Sequence, residues 1–438
     1  MALLLRTSRL KASALAVVLF RTTADFVLAF APVASAASAR TISVNSGGDV
    51  NAAIAQARPG DTVALRPGIY RGTVLIDKAI TLSADQATVK APDGGAAIAV
   101  TAGNVTIDSV ATSCSDARGS PTGVEVTAQH VRIVGSPVLQ CATGIRLNGA
   151  GDSYLQGDSL LGSRSPDRRG VGVNVTDADG VTMLGNTFED DDTGVVIQGT
   201  ATPLLDSNTF SQVGTAVALD AVSEAVVNGT LVVGATGPAV LVTGSHGAEI
   251  ARLNPSGNGS GSGPAIQLSA ASGPSSVVDV EDSSLAHFGT GLKIDAGSVT
   301  GSVIVIGTTF DGVTQAAIVM AAGAGGTVNA TIGDYFGGCG PRAPDHGYDG
   351  GGAAVVDPEH MVSYTENNCH APASPAPPAM PGGGATAPPV ANDGSGRSDG
   401  IDLPSAVGSA LVTAGVSLLL VVCAGGVLYA IRRNRHVH

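Results

Sequence analysis

The chain has no tryptophan, and aromatic residues account for 3% of its 438 positions. With so few rings, any core must be thin and aliphatic. Charged side chains are also sparse, at 13%. No basic cluster interrupts residues 40–370, which argues against a nucleic-acid partner. The histidines show no zinc-type spacing, so nothing in the sequence supports metal catalysis. What is abundant is glycine, with 60 residues, as expected of a fold made of many tight turns. The net charge of −13 fits an exported, soluble surface.

The two ends differ from the body. Arg6, Arg9 and Lys11 precede and flank an apolar run from Ala12 to Phe20, and small residues follow at Ala34-Ser35-Ala36 and Ala37-Ser38-Ala39. This order predicts a signal peptide over residues 1–36, with a second cleavage position at 39. Arg21 and Asp25 interrupt the apolar stretch, so an uncleaved amphiphilic anchor is the alternative. From Ser405 to Ile431 no charge occurs, and the run is long enough to predict a transmembrane helix. Arg432, Arg433 and Arg435 follow it, which places residues 432–438 in the cytoplasm and the body outside. Residues 371–404 are rich in Pro, Gly and Ala and are expected to form an unfolded stalk. The folded part is then 40–370.

One phrase recurs through that part: "AAIAV" at 96, "TGVEV" at 122, "TGIRL" at 143, "VGVNV" at 171, "TGVVI" at 193, "TAVAL" at 215, "PAVLV" at 238, "PAIQL" at 264, "TGLKI" at 290, "AAIVM" at 316 and "AAVVD" at 353. Short alternating strands with this spacing predict a solenoid. The leucine-rich phrase that would mark the rival repeat class is absent. Within each phrase, pairs such as Val124 and Val126 or Val195 and Ile197 should point inward. A second signal lies elsewhere in the repeat: "NTF" at 186 and 208, "TTF" at 308 and "DYF" at 334. Stacked asparagines can bond each other and the turn backbone, while Phe188, Phe210, Phe310 and Phe336 fill the interior.

The repeat resembles the right-handed parallel β-helix of the pectin lyase-like superfamily over roughly residues 41–370. The stretch "DVNAAIAQARPGDTVALRPGIYRGTVLIDKAITLSA" from Asp49 to Ala84 is similar to the opening of many members, with a capping helix, a Pro-Gly-Asp turn, a strand and a Pro-Gly-x-Tyr turn. Asp49 suits an N-cap, and Val50, Ala53, Ile54 and Ala57 share one helical face. The expected fold class is therefore all-β, a right-handed parallel β-helix with an N-terminal capping helix and a C-terminal transmembrane helix. Four cysteines in an exported body favour disulfides. Within such a solenoid Cys114 and Cys141 lie about one coil apart, and Cys339 and Cys369 could staple the last coil, other connectivities remaining open. Cys423 lies in the apolar span.

The superfamily resembled includes lyases, glycosidases, esterases, epimerases and non-enzymatic surface proteins, so residues must decide. Its enzymes carry acidic residues, often with Arg, Lys or His, on an exposed sheet face. The corresponding candidates here are Asp190 and Asp191, which in repeat register fall beside Arg168 and Arg169. Carboxylates there could hold calcium and neutralise a uronate while an arginine acts at the sugar carbon. The plainer reading is a charge-paired turn between coils. "DPEH", Asp357 to His360, resembles an epimerase motif with its acid and histidine exchanged, and reads more simply as a turn. The loop holding Arg342, Asp345, His346 and Tyr348 is a candidate binding loop. The polygalacturonase pattern is absent. Five Asn-x-Ser/Thr triplets occur, at Asn104, Asn174, Asn228, Asn258 and Asn329.

The sequence thus favours a single-pass surface protein that binds or scaffolds envelope or extracellular components, glycans among them. The alternative is a membrane-tethered polysaccharide lyase or epimerase acting on uronate polymers. No cofactor is implied beyond calcium under that alternative.

Overall fold

The computed structural model describes residues 38–162, 170–257, 263–332 and 353–366. The expected signal peptide, stalk, membrane span and tail, together with Arg168, Arg169, Arg342, Asp345, His346, Tyr348, Phe336, Asn258, Cys339 and Cys369, lie outside those residues. No helix among the described residues is long and apolar enough to cross a membrane.

The described chain winds as a parallel β-solenoid. Every recurring phrase is a strand of one twelve-stranded parallel sheet, which also takes in Val74–Ile76, one coil earlier than the phrase is legible. Its register follows the repeat: Val124 pairs with Ile145, Ile145 with Val173, Val173 with Val195 and Val195 with Val217. The last copy, Ala353–Val356, pairs with Ala316–Met320. A second parallel array starts at Thr41–Val44 and a third at Gly68–Arg71, and the two meet through the long strand Ser302–Asp311.

The three faces enclose one aliphatic core. Val124, Val126, Val195 and Ile197 are fully buried, as the alternation requires. Phe188, Phe210 and Phe310 are buried too, and the rings of Phe188 and Phe210 stack at 4.5 Å with 8° between planes. The glycine that so often fills the second position of the phrase has a steric cause. A Cβ at Gly172 would lie 2.6 Å from the ring of Phe188, one at Gly194 2.4 Å from Phe210, and one at Gly291 2.2 Å from Phe310. One coil beyond Phe210 the matching residue is Val232, and there the phrase carries Ala216 instead of glycine. At Gly123 and Gly144 the opposing side chains are Val138 and Leu160, at 2.6 and 2.9 Å, and at each of these glycines the carbonyl of the next coil also stands within 2.8 Å of a Cβ, so rings, aliphatic side chains and backbone together keep the position small.

The short helix Val50–Gln56 lies between the first strand, Thr41–Val44, and its parallel neighbour Thr62–Leu65. Asp49 is its N-cap, accepting from Ala52 N at 3.0 Å, and Val50, Ala53, Ile54 and Ala57 are buried. The helix is tied to the first coil at both ends. Asn51 Nδ2 donates to Thr73 O (3.0 Å) while its Oδ1 accepts from Leu75 N (2.9 Å), so a side chain pairs with the edge of the twelve-stranded sheet. Lys78 Nζ donates to the carbonyls of Ile54, Ala55 and Ala57 at the helix C-terminus, where a cation is favoured. In the turn before the next strand, N–H groups of Arg58 and Arg40 and the Arg40 guanidinium hold the Asp61 carboxyl down at about 2.

Cys114 and Cys141 form a disulfide across adjacent coils, with Cα atoms 4.8 Å apart.

The glycine–phenylalanine balance yields a double-mutant test. Gly194→Ala should cost about 1–3 kcal/mol by overpacking against Phe210. In a Phe210→Val background the same change should cost far less, because that pair reproduces Ala216 with Val232. Thermal unfolding of the four proteins measures the coupling, and additive shifts would contradict the packing argument.

Candidate functional site

Each strand of the twelve-stranded sheet points one residue inward and the next outward, so the outer face repeats coil by coil. One outward row runs through Glu125, Arg146, Asn174, Val196, Ala218 and Leu241, matched in register from strand to strand. Two positions along each strand lies a polar stripe with Asn148, Thr176, Gln198 and Asp220 in register. Arg146 Nη1 meets Glu125 Oε1 at 3.4 Å, and Gln198 Nε2 donates to Asp220 Oδ2 at 2.9 Å. Further along, Asp295 accepts from Gln267 Nε2 at 2.6 Å and pairs with Lys293 Nζ at 2.9 Å. The face is broad, half-exposed and rich in amides, hydroxyls and aliphatic groups, at one set per coil of about 4.8 Å.

Asp190, Asp191 and Asp192 form the corner between the third array and this sheet. Asp190 takes φ 61° and Asp192 N donates to Gly170 O at 2.9 Å. Asp190 and Asp191 are only 7% and 2% exposed, whereas Asp192 faces solvent. Because Leu139, Leu161, Glu189 and Ser211 are in register, Asp191 occupies the same station as Cys141 and Val213 in other coils. Both of those are buried and point inward. Asp191 is therefore an acid at an apolar corner. Its carboxyl is wedged so that a Cβ at Gly162 would sit 2.6 Å from Oδ1 and one at Gly172 2.9 Å from Oδ2. Oδ2 has no hydrogen-bond partner. Burial pushes this carboxyl up to about 8, with the charges of Asp190 and Asp192 adding to the effect. Such a group holds a proton at neutral pH, yet it stands behind the surface rather than on it.

The other sequence candidates resolve differently. In "DPEH", Asp357 accepts from Glu359 N (3.2 Å) and Val362 N (2.7 Å), and Glu359 Oε1 accepts from Gly323 N (3.1 Å), which makes the motif a bonded turn. His360 is exposed with φ 56°. Of the glycosylation triplets, Asn104 sits exposed at a turn, while Asn174 and Asn228 lie within strands. Among the described residues no group of three or more His, Cys, Asp or Glu side chains is placed to hold a metal ion.

A family model for the right-handed β-helix region matches residues 74–212, 122–261 and 171–333, which together span more than half of the chain. The chain belongs to the right-handed β-helix family. No curated protein sequence is significantly similar to it. Solved structures with a similar fold include the A-module of an Azotobacter vinelandii mannuronan C-5 epimerase, with 16% identity, 65% of this chain and 93% of that chain covered and a TM-score of 0.48. An endo-xylogalacturonan hydrolase from Aspergillus tubingensis gives 14% identity, 66% and 95% coverage and a TM-score of 0.49. An alginate lyase from Paenibacillus sp. gives 12% identity, 74% and 99% coverage and a TM-score of 0.42. At these identities the likeness is one of fold.

Within the β-helix, the corner between the second and third arrays carries a buried polar ladder. Asn186 Nδ2 donates to Asn208 Oδ1 (3.0 Å) and to Leu155 O (3.2 Å), and Asn208 Nδ2 donates to Met183 O (3.0 Å). The "NTF" phrase gives these two away. Asp158 stands one coil earlier in the same ladder and was not singled out from the sequence, although its spacing from Asn186 fits the repeat. Its Oδ1 accepts from Ser136 N at 2.7 Å, its own N donates to Asn186 Oδ1 at 2.9 Å, and its Oδ2 is buried without a partner. Burial raises this carboxyl to about 7, against the pull of the Ser136 and Gln156 N–H groups. A protonated acid, like the asparagine amide, could donate where a carboxylate cannot.

Both acids therefore bind a proton more tightly folded than unfolded. Their contribution to stability is complete below the ordinary carboxylate range near 3.8 and is lost as pH rises through about 7 for Asp158 and about 8 for Asp191. The melting temperature of the full-length protein should fall between pH 5 and pH 9. In an Asp158→Asn/Asp191→Asn variant the fall should shrink, and an unchanged slope would remove these acids as its cause.

Proposed function

We propose that this β-helix is carried at the outer face of a membrane by the predicted span at 405–431, raised on the 371–404 stalk, and that it binds polysaccharide through the outer face of its twelve-stranded sheet. The observation that carries this reading is the register of that face. Polar groups at Asn148, Thr176, Gln198 and Asp220 recur coil after coil beside aliphatic Val196, Ala218 and Leu241. A sugar polymer repeats on a similar length scale and presents the same mixture, hydroxyl edges and C–H faces. A rigid scaffold that offers matching groups at fixed intervals needs little reorganisation to bind it.

A second reading, turnover of a uronate polymer at the corner of Asp190 and Asp191 with Arg168 and Arg169 and with calcium as cofactor, has one supporting observation. The buried, unpartnered Asp191 carboxyl is held near 8, the range a general acid needs. Against it, Asp191 is 2% exposed, and substrate atoms must come within hydrogen-bond reach of a catalytic acid.

Protease treatment of intact cells that make the protein should cut in the stalk and release a fragment ending between 371 and 404. The full-length protein should bind at least one glycan on an array and leave uronate polysaccharides unconverted with or without calcium. Failure to retain any glycan would remove the binding reading. Unsaturated or epimerised product that disappears in Asp191→Asn, with folding intact, would establish the second reading instead.

A further inference from the structure

Two cationic side chains stand in the outward row of the twelve-stranded sheet among the described residues, and each is already engaged. Arg146 faces Glu125 at 3.4 Å and Lys293 faces Asp295 at 2.9 Å. Between them in that row come Asn174, Val196, Ala218, Leu241 and Gln267, all uncharged. The carboxylate beside this stretch, Asp220, accepts from Gln198 rather than from a cation.

A polyanion bound here would have to break one of these pairs or approach a row that offers it no free positive charge. The chain's net charge of −13 adds repulsion at distances near the Debye length. An uncharged sugar chain meets neither obstacle. Its C–H faces can lie on Val196, Ala218 and Leu241, half-buried aliphatic residues that follow one another in register across three adjacent coils. Its hydroxyls can exchange hydrogen bonds with the exposed amides of Asn148 and Gln198.

We propose that this face selects an uncharged polysaccharide, laid along the solenoid axis with about one sugar per coil, and discriminates against uronate polymers. The proposal rests on the glycan-binding reading above and specifies its ligand class.

The test is calorimetric titration of the full-length protein with neutral gluco-, xylo- and mannooligosaccharides and with oligouronates of equal length, the latter with and without calcium. At least one neutral series should bind, and affinity should rise about tenfold or more between two and six sugars. Leu241→Asp should weaken that binding by about tenfold, and the milder, exposed change Gln198→Ala should weaken it in the same direction if the aspartate variant fails to fold. Oligouronates that bind as tightly as the best neutral series would overturn the inference and leave glycan binding standing. Binding of no oligosaccharide would overturn both. Neutral binding untouched by either substitution would place the site elsewhere and overturn the assignment to this face.

Discussion

The interaction on which everything else depends is the stacking of each residue on its own counterpart one coil away. Parallel pairing at about 4.8 Å leaves an inward side chain no choice of neighbours. Phe188 must meet Phe210, and the residue opposite a ring must give up its Cβ, as Gly172 and Gly194 do. The same constraint reaches outward. Once the interior sets the register, outward residues of successive coils line up whether or not they interact, and the surface becomes a lattice with a fixed interval.

Inward polar residues obey the same rule with higher stakes. Asn186 and Asn208 succeed because an amide both donates and accepts, so each satisfies a turn N–H and a neighbouring side chain at once. An acid in that ladder, such as Asp158, accepts on one side and must find a proton to donate on the other. Asp191 goes further, an acid where other coils place a half-cystine or a valine. Both stations turn a packing position into a protonation site, which couples the stability of the fold to pH with no change in its register.

The solenoid was legible because its determinants are local and periodic. The phrase with Gly or Ala at its second position, the "NTF" ladder and the Asp49 cap each leave a pattern in the residues that cause them, and Cys114 and Cys141 are one coil apart in sequence as in space. The first strand of the twelve-stranded sheet, Val74–Ile76, was harder to see because Thr73 stands where the other copies carry Gly or Ala. Asp158 escaped for a similar reason: an acid within a ladder of amides breaks the pattern by which the ladder is found. The Asp190 and Asp191 corner was visible as a charge run, but its burial was not, since direction at a corner is set by register with Leu139 and Ser211 rather than by the run itself.

That difference bears on where a ligand can act. A dense acidic run draws attention in a sequence, yet here two of its members are turned behind the surface, and one keeps an unpaired oxygen inside. The outer sheet face draws little, because no residue in it is unusual and the two cations of its outward row are each paired with a carboxylate. Its capacity lies in repetition. A single Gln or Leu contributes little to binding a sugar, but groups held in register over several coils act together on a polymer, and linked contacts multiply without further loss of freedom. A solenoid is suited to weak, periodic recognition of a long chain, and under the glycan-binding proposal it is the even, half-exposed face, not the buried corner, that would carry it.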